Sequence, residues 1–268
     1  MKTRPMMLAL AVAAAIAAPA AMAEGSTADG IAQYRAMLAE GNPAELWELA
    51  GEDIWKEKAG PKQASLEQCD LGKGPGVVKG ASAALPRYFK DTDRVQDLES
   101  RLMTCMQTLQ GISPDNFVKG KWGKGEMEKM EQIVAYVVGQ SRDMKINVDM
   151  SSPQMKKMYA LGKKAFFYRA GPMDFACSTC HGEDGKRIRL QDLPNLTKHE
   201  GAAAGWGSWP AYRVSNGQFW TMQHRLNDCY RQQRFPEPIY GSDVTIALSV
   251  YMAKTANGGT VMTPGIKR

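Results

Sequence analysis

The sequence lacks several features that would define other classes of protein. Beyond its amino terminus it has no apolar run of membrane-spanning length, so the mature chain is expected to be soluble. It has no second Cys-x-x-Cys pair, which would be needed to complete a zinc site. No run of lysine and arginine interleaved with aromatic residues is present, so nucleic-acid binding is not expected. The net charge of +6 is a modest basic excess that suits an anionic small molecule or an acidic partner.

The amino terminus has the pattern of a secretory signal peptide. Two basic residues precede an apolar stretch, and Ala21-Met22-Ala23 follows with the small residues of a cleavage site. The apolar stretch is too short to cross a membrane as an anchor. We therefore expect residues 1–23 to be removed and the mature protein to be periplasmic.

The five cysteines are an odd number, which needs an explanation outside the cytoplasm. Two of them belong to Cys177-Ser178-Thr179-Cys180-His181, the attachment pattern of a c-type haem. The two thiols bond to the haem vinyl groups, and the adjacent histidine ligates the iron. A redox Cys-x-x-Cys pair would not need the histidine, so the pattern predicts one covalently bound haem c.

A haem iron held in this way has a second axial position, normally filled by methionine or histidine. The downstream candidates are His199, His224, Met222, Met252 and Cys229. Cys229 has the strongest claim because Arg225 lies one helical turn before it, where a guanidinium favours thiolate and binds oxyanions. A group of further basic side chains could extend the positive field, although such charges more often form a solvated face: Lys186, Arg187, Arg189, Arg231 and Arg234.

Most of the chain is predicted to be helical. Helices are expected to start at Asn42-Pro43, to cover residues 92–110 and 126–139, and to start again at Ser152-Pro153 and at Ser242 or Asp243. The pattern Arg-Leu-x-x-Cys occurs twice, at residues 101–105 and 225–229, and each copy is followed by a loop and an apolar helix. This repeat predicts two cytochrome-like domains, residues 24–150 and 151–268.

The first copy departs from the haem-binding pattern. Near Cys69 it has neither a second cysteine nor a histidine, so this domain is expected to carry no haem. Cys69 and Cys105 would then be free to form a disulfide in an oxidising compartment.

The sequence resembles the SoxA family of c-type cytochromes over nearly the whole mature chain. The resemblance rests on the segments CDLGKG, LPRYF, DTDRV and LExRL in the first half and on CxxCHG and RLxxC in the second, at residues 69–74, 85–89, 91–95, 98–102, 177–182 and 225–229. Only the haem motif is common to all c-type cytochromes. The absence of that motif from the first half makes the chain similar to the single-haem branch.

What the resemblance implies is specific. It implies a mainly α fold of two cytochrome c-like domains related by duplication, with Cys229 as the catalytic cysteine and an axial iron ligand. It implies that Arg225 binds substrate, that SoxX is the partner, and that the SoxYZ carrier receives thiosulfate in an oxidative conjugation. The alternative, a plain periplasmic electron-transfer cytochrome with a methionine or histidine ligand, stays open from the residues alone.

Overall fold

The computed structural model describes residues 27–188 and 191–267. The predicted signal peptide, residues 1–23, and Arg189 lie outside the described residues. Helix α1 (Thr27–Glu40) belongs to one compact unit, and the chain from Gly41 onward belongs to another. None of the described helices is both long and apolar enough to cross a membrane.

The unit from Gly41 onward is mainly helical, with a few short strands, as the sequence predicted. Its helices are α2 (Ala44–Lys56), α3 (Leu98–Cys105), α4 (Asp115–Val118), α5 (Glu126–Gly139), α6 (Pro153–Phe167), α7 (Cys177–His181), α8 (His199–Gly207), α9 (Met222–Gln232) and α10 (Asp243–Thr255). Its strands are β1 (Arg87–Phe89), β2 (Arg94–Gln96), β3 (Arg187–Ile188), β4 (Gln191–Asp192), β5 (Ala211–Arg213), β6 (Gln218–Trp220) and β7 (Gly265–Lys267). Short 3₁₀ turns cover Ser82–Ala84 and Val214–Asn216, and a π-helical turn, Met106–Gln110, extends α3.

Each half of this unit is built on two helices that cross at a glycine. In the first half α2 packs on α5, and a Cβ placed on Gly51 would lie 1.9 Å from the carbonyl oxygen of Gln132. In the second half α6 packs on α10, and a Cβ placed on Gly162 would lie 1.9 Å from the carbonyl oxygen of Ala247. Because any side chain would collide with backbone, only glycine permits these close approaches.

An aromatic pair seals each crossing one helical turn after the glycine. The ring centres of Trp55 and Tyr136 are 6.2 Å apart in the first half, and those of Phe166 and Tyr251 are 5.0 Å apart in the second. This matched packing supports the internal duplication predicted from the repeated motif. The boundary predicted at residue 150 stays a prediction, because the chain from Gly41 onward forms one compact unit.

The helix predicted over residues 92–110 begins later than expected. Strands β1 and β2 pair as an antiparallel hairpin, and α3 starts only after Asp97, whose carboxylate accepts a hydrogen bond from the Ser100 N–H at 2.9 Å. The apolar spacing that predicted the helix also starts at Leu98. A side-chain cap satisfies the free N–H groups at that point, so the helix has its natural start there.

The first half is closed by the disulfide that the sequence predicted. Cys69 and Cys105 are bridged, with their Cα atoms 5.5 Å apart and a sequence separation of 36. Both are buried in an apolar cluster that includes Leu66, Leu71 and Leu102. This cluster fills the interior of the half that lacks the haem motif.

The second half contains a small three-stranded sheet with the order β6-β5-β7. Strand β5 pairs antiparallel with β6 and parallel with β7. Thr221, directly after β6, caps α9 by accepting a hydrogen bond from the His224 N–H at 3.2 Å. The sheet is thereby held against the start of the helix that carries the second Arg-Leu-x-x-Cys motif.

Candidate functional site

The haem-attachment motif forms one short helix, α7. The Ala176 N–H donates to the Thr179 hydroxyl at 2.9 Å, which fixes the start of this helix. Cys177 and Cys180 are free thiols, and residues three apart on a helix lie on the same side. Burial raises the pKa of Cys177 to about 12, and the neighbouring Cys229 adds to the rise.

His181 ends the same helix with its ring orientation fixed. Its Nδ1 lies 2.9 Å from the carbonyl oxygen of Pro194. A carbonyl oxygen can only accept, so Nδ1 carries the proton and the lone pair lies on Nε2. Burial lowers the pKa of His181, and the positive charge of Arg225 lowers it further, so the ring is neutral at pH 7. A neutral imidazole with a free Nε2 is the form that ligates iron.

Helix α9 carries Arg225 and Cys229 four residues apart, on one face. Burial raises the pKa of the Cys229 thiol, while the charge of Arg225 opposes part of that rise. The Arg225 guanidinium lies over the Trp209 ring, 5.6 Å from its centre, and donates to Asp228 Oδ2 at 2.9 Å. The arrangement places a guanidinium beside a thiol, as the helical spacing predicted.

Side chains of α7 and α9 lie close enough to interact electrostatically. Cys229 interacts electrostatically with Cys177 and Cys180 of α7, and Arg225 interacts with His181. The structure therefore brings together the five residues that the sequence singled out: Cys177, Cys180, His181, Arg225 and Cys229. It tests none of the chemical roles predicted for them.

The other basic residues predicted to extend the positive field are mostly paired or outside the site. Lys186 and Arg187 make ion pairs with Glu183 at 3.1 Å and Asp192 at 3.0 Å, on exposed surface. Arg231 pairs with the buried Asp228 at 2.6 Å. These contacts agree with a solvated face rather than with a second set of substrate ligands.

The remaining candidates for the second axial ligand have different surroundings. His199 is exposed, and His224 is enclosed between aromatic rings. Met222 and Met252 belong to the apolar cluster against which Cys177 packs. The two methionines therefore lie near the haem motif and compete with Cys229 on position.

These residues fit a c-type haem by their chemistry. Thiols at the Cys-x-x-Cys spacing can reach both vinyl groups, and His181 offers Nε2 to the iron. The haem would bring its own nitrogen ligands for the iron, so the chain would need to supply only His181 and one further side chain. Among the described residues, no group of three or more His, Cys, Asp or Glu could hold a metal ion.

An aromatic column that the sequence did not reveal lies along α9. The His224 ring is stacked between Trp122, 4.2 Å away at 9°, and Trp220, 4.1 Å away at 22°. The guanidinium carbon of Arg213 also lies over the Trp220 ring, 4.7 Å from its centre. Burial lowers the pKa of His224 to about 4, so the stacked ring is neutral at pH 7. No spacing in the sequence links these residues, because they come from separate elements.

A buried carboxyl of the first half holds the start of α9. Glu99 accepts hydrogen bonds from the Gln223 N–H at 3.0 Å and from the Tyr240 hydroxyl at 2.8 Å. The Gln223 amide donates to Asp97 Oδ2 at 2.6 Å. Burial, with the charge of Asp97 adding to it, raises the pKa of Glu99 to about 8, so it is protonated at neutral pH. The first half therefore helps to position the helix that carries the candidate site.

Comparison with known proteins gives one consistent result. The family described as SoxA/TsdA, cytochrome c domain, matches residues 50–146, which lie in the half without the haem motif. The L-cysteine S-thiosulfotransferase subunit SoxA of Hydrogenophilus thermoluteolus is 66% identical over 245 residues, covering 91% of this chain and 90% of that protein. The protein of the same name from Hydrogenobacter thermophilus is 37% identical over 227 residues, covering 84% and 82%.

Among solved structures, the crystal structure of SoxXA from P. pantotrophus matches with a TM-score of 0.72 at 24% identity, covering 88% of this chain and 84% of that one. This likeness shows a shared fold. The sequence identity to two relatives extends across most of their length, as the predicted resemblance required. The chain belongs to the SoxA family.

Proposed function

We propose that this chain is the catalytic subunit of an L-cysteine S-thiosulfotransferase, acting in the periplasm on thiosulfate and a cysteine of the SoxYZ carrier. The observation that carries the proposal is the approach of α9, with Arg225 and Cys229, to the haem motif on α7. The name of the relatives in the family supports it. In the overall reaction a carrier thiolate and thiosulfate form a new S–S bond, giving S-sulfosulfanyl-cysteine, and two electrons leave.

One haem c would be held by thioether bonds to Cys177 and Cys180, and His181 and Cys229 would ligate its iron. When bound, the haem would supply a redox-active iron that stabilises the thiolate form of its sulfur ligand. The first half of the sequence contains no histidine. Its two cysteines, Cys69 and Cys105, are joined in a disulfide and are not available to bind haem. This supports one haem per chain.

The side chains of α9 would carry the substrate chemistry. Arg225, already fixed by Asp228 and Trp209, would hold the dianion by its sulfonate end. The Cys229 thiolate would bond to the sulfane sulfur with loss of two electrons. The carrier thiolate would then attack that sulfur and release Cys229 as thiolate, as in thiol–disulfide exchange. The electrons would leave to the small cytochrome SoxX.

The proposal is tested by thiosulfate-dependent reduction of cytochrome c with purified holoprotein, SoxX and SoxYZ. Cys229→Ala should abolish coupling, by on the order of 10³-fold or more, while the haem stays attached through Cys177 and Cys180. A pyridine haemochrome assay should return one haem per chain. Full turnover by Cys229→Ala would exclude the proposed nucleophile.

Met222 and Met252 support a second candidate, a plain electron-transfer cytochrome, because both lie in the cluster next to Cys177. In that protein a methionine would be the axial ligand and Cys229 would be incidental. The absorption spectrum of the reduced protein separates the two. A spectrum that Cys229→Ala leaves unchanged, but Met222→Leu or Met252→Leu alters, would favour the electron carrier.

A further inference from the structure

Arg213 lies beside the candidate site, although it is twelve residues before Arg225 and belongs to a different element. It ends β5, and its guanidinium is stacked on Trp220 of the paired strand β6. Trp220 in turn stacks on His224, the residue directly before Arg225 on α9. The hairpin is thus fixed against the helix by ring contacts, and the position of Arg213 is fixed with it.

The two guanidiniums are held in the same manner. Arg213 lies on Trp220, and Arg225 lies on Trp209, which comes just before β5 in the chain. Stacking on an indole fixes the plane of a guanidinium and leaves its N–H groups at the edge free to donate. Both arginines are therefore oriented before any ligand binds.

The hydrogen bonding of the two arginines differs. Arg225 donates to Asp228. The Nε of Arg213 is buried and has no hydrogen-bond partner among the residues that the structure describes. A buried donor without a partner is rare in proteins and destabilises the fold unless a ligand or ion accepts its hydrogen bond.

The positive charges of Arg213 and its neighbour Arg225 are only partly balanced by nearby negative charge. Burial lowers the pKa of Arg213, and the like charge of Arg225 lowers it further; Asp228 and Cys229 oppose this. Asp228 is already shared, because it accepts from Arg225, Arg231 and Gln232. Two guanidiniums near one thiol, with one shared carboxylate, leave an excess of positive charge that suits a ligand with more than one negative charge.

We propose that Arg213 is a second anion-binding residue, donating through Nε to one oxygen of a tetrahedral dianion while Arg225 holds another. The inference rests on the proposed function and deepens it, because thiosulfate is such a dianion. The two arginines donate hydrogen bonds to the sulfonate oxygens, and the sulfane sulfur points toward Cys229. Sulfate, which has the same shape and charge but no sulfane sulfur, is then a ligand of the same site.

The test compares wild-type holoprotein with Arg213→Gln and Arg213→Lys, in complex with SoxX. Calorimetry measures the binding of sulfate and of thiosulfate, and coupling assays give KM and kcat. Both variants should weaken the binding of each dianion and raise the KM for thiosulfate by about 10- to 150-fold, because a charge-assisted hydrogen bond is lost. Lysine should restore little, since it lacks the fixed guanidinium edge. The change should fall on KM rather than kcat, as expected for a contact made in both ground and transition states.

Arg169→Gln is the matched control, because it removes an exposed arginine that is paired with Asp174. Its affinities should equal those of wild type, and all variants should keep the wild-type haem content and thermal midpoint. Unchanged affinity for both dianions in the Arg213 variants, alongside normal coupling by wild type, would overturn this inference and leave the proposed function intact. Sulfate binding that needs Arg213 in a protein that never couples thiosulfate would support the anion site and reject the proposed function. If wild type binds neither dianion, the inference is wrong.

Discussion

The same five-residue motif, Arg-Leu-x-x-Cys, occurs on α3 in the first half and on α9 in the second. On α3 the arginine is buried, with Arg101 Nε donating to the Asp70 carbonyl at 2.6 Å and a terminal nitrogen to Asp91 at 2.7 Å. The cysteine of that copy is in a disulfide. On α9 the arginine is partly exposed, and the cysteine is a free thiol that interacts electrostatically with Cys177 and Cys180 of α7.

The difference shows that one helical framework supports two opposite uses of the same side chains. In the first half both polar groups are satisfied within the protein, so they stabilise it and have nothing left to bind. In the second half the cysteine has no covalent partner, and Arg225 lies close to a second arginine with an unpaired donor, Arg213. The copy that we propose to be reactive is the one whose groups the fold leaves incompletely satisfied.

The largest expected effect comes from removing the disulfide. Cys69→Ala/Cys105→Ala should lower the free energy of unfolding by about 2–5 kcal/mol, because the unfolded chain is no longer constrained by the bridge. Urea denaturation of the holoprotein measures this. Coupling activity per folded molecule should stay close to that of wild type, whereas Cys229→Ala should lose activity without losing stability. Equal stability of the double variant and wild type would break the comparison.

Substitutions of the two motif arginines should likewise affect different properties, activity for Arg225 and stability for Arg101. Arg225→Lys should reduce kcat/KM for thiosulfate by about 10- to 150-fold with little change in stability, because the ammonium cannot copy a bidentate contact. Arg101→Lys should lower the free energy of unfolding by about 1.5–3 kcal/mol, since one ammonium cannot reach both of its acceptors. Steady-state kinetics measure kcat/KM, and urea denaturation measures the free energy of unfolding, for both variants. The comparison fails if both variants lose the same property.

Gly51 and Gly162, the glycines at the two helix crossings, allow a more specific comparison of the two halves. Gly51→Ala and Gly162→Ala should each cost about 1–3 kcal/mol of stability, because the added methyl group forces the helices apart. Only Gly162→Ala should shift the haem absorption spectrum, since Phe166 and Tyr251 near that crossing share a cluster with Cys177. A shift of equal size in Gly51→Ala would mean that the halves are not independent in this respect.

The smallest expected effect concerns pH. Glu99 has a pKa of about 8 in the folded protein against 4.5 as the ordinary value, so the folded state keeps a proton that the unfolded state has lost. The contribution to stability is fully present below pH 4.5 and is lost as the pH rises through about 8. The slope is at most about 1.4 kcal/mol per pH unit.

Glu99→Gln should flatten the decline of stability between pH 5 and 8, and the exposed Glu67→Gln should leave it unchanged. Thermal midpoints across that pH range measure the slope. The flattening is partial, because burial also raises the pKa of Glu131 to about 8. An unaltered slope in Glu99→Gln would show that this carboxyl is ionised in the folded protein at neutral pH.

The features that could be predicted from the sequence are those set by local spacing. Ser152-Pro153 marked the start of α6 because a cap and a proline act within one turn. Arg225 and Cys229 were found because four residues along a helix is a local distance. The start of α3 was missed, since the β-hairpin before it depends on pairing between strands.

Features that depend on tertiary contacts left no pattern to find. The hydrogen bond from Gln223 to Glu99 spans 124 residues, and the one from Gln223 to Asp97 spans 126. The stack of Trp122 on His224 joins two halves of the chain in the same way. A single sequence holds no periodicity that would bring such residues together, so their part in the site had to come from the structure.

The buried disulfide of the first half also limits which cysteines can pair with one another. A chain with five thiols can form wrong pairs where disulfides form, and Cys105 is the sequence counterpart of Cys229. The bridge between Cys69 and Cys105 removes two of the five thiols. The three cysteines that remain, Cys177, Cys180 and Cys229, are free thiols close enough to interact electrostatically. When haem is attached through Cys177 and Cys180, as proposed, Cys229 is the one cysteine left without a covalent partner.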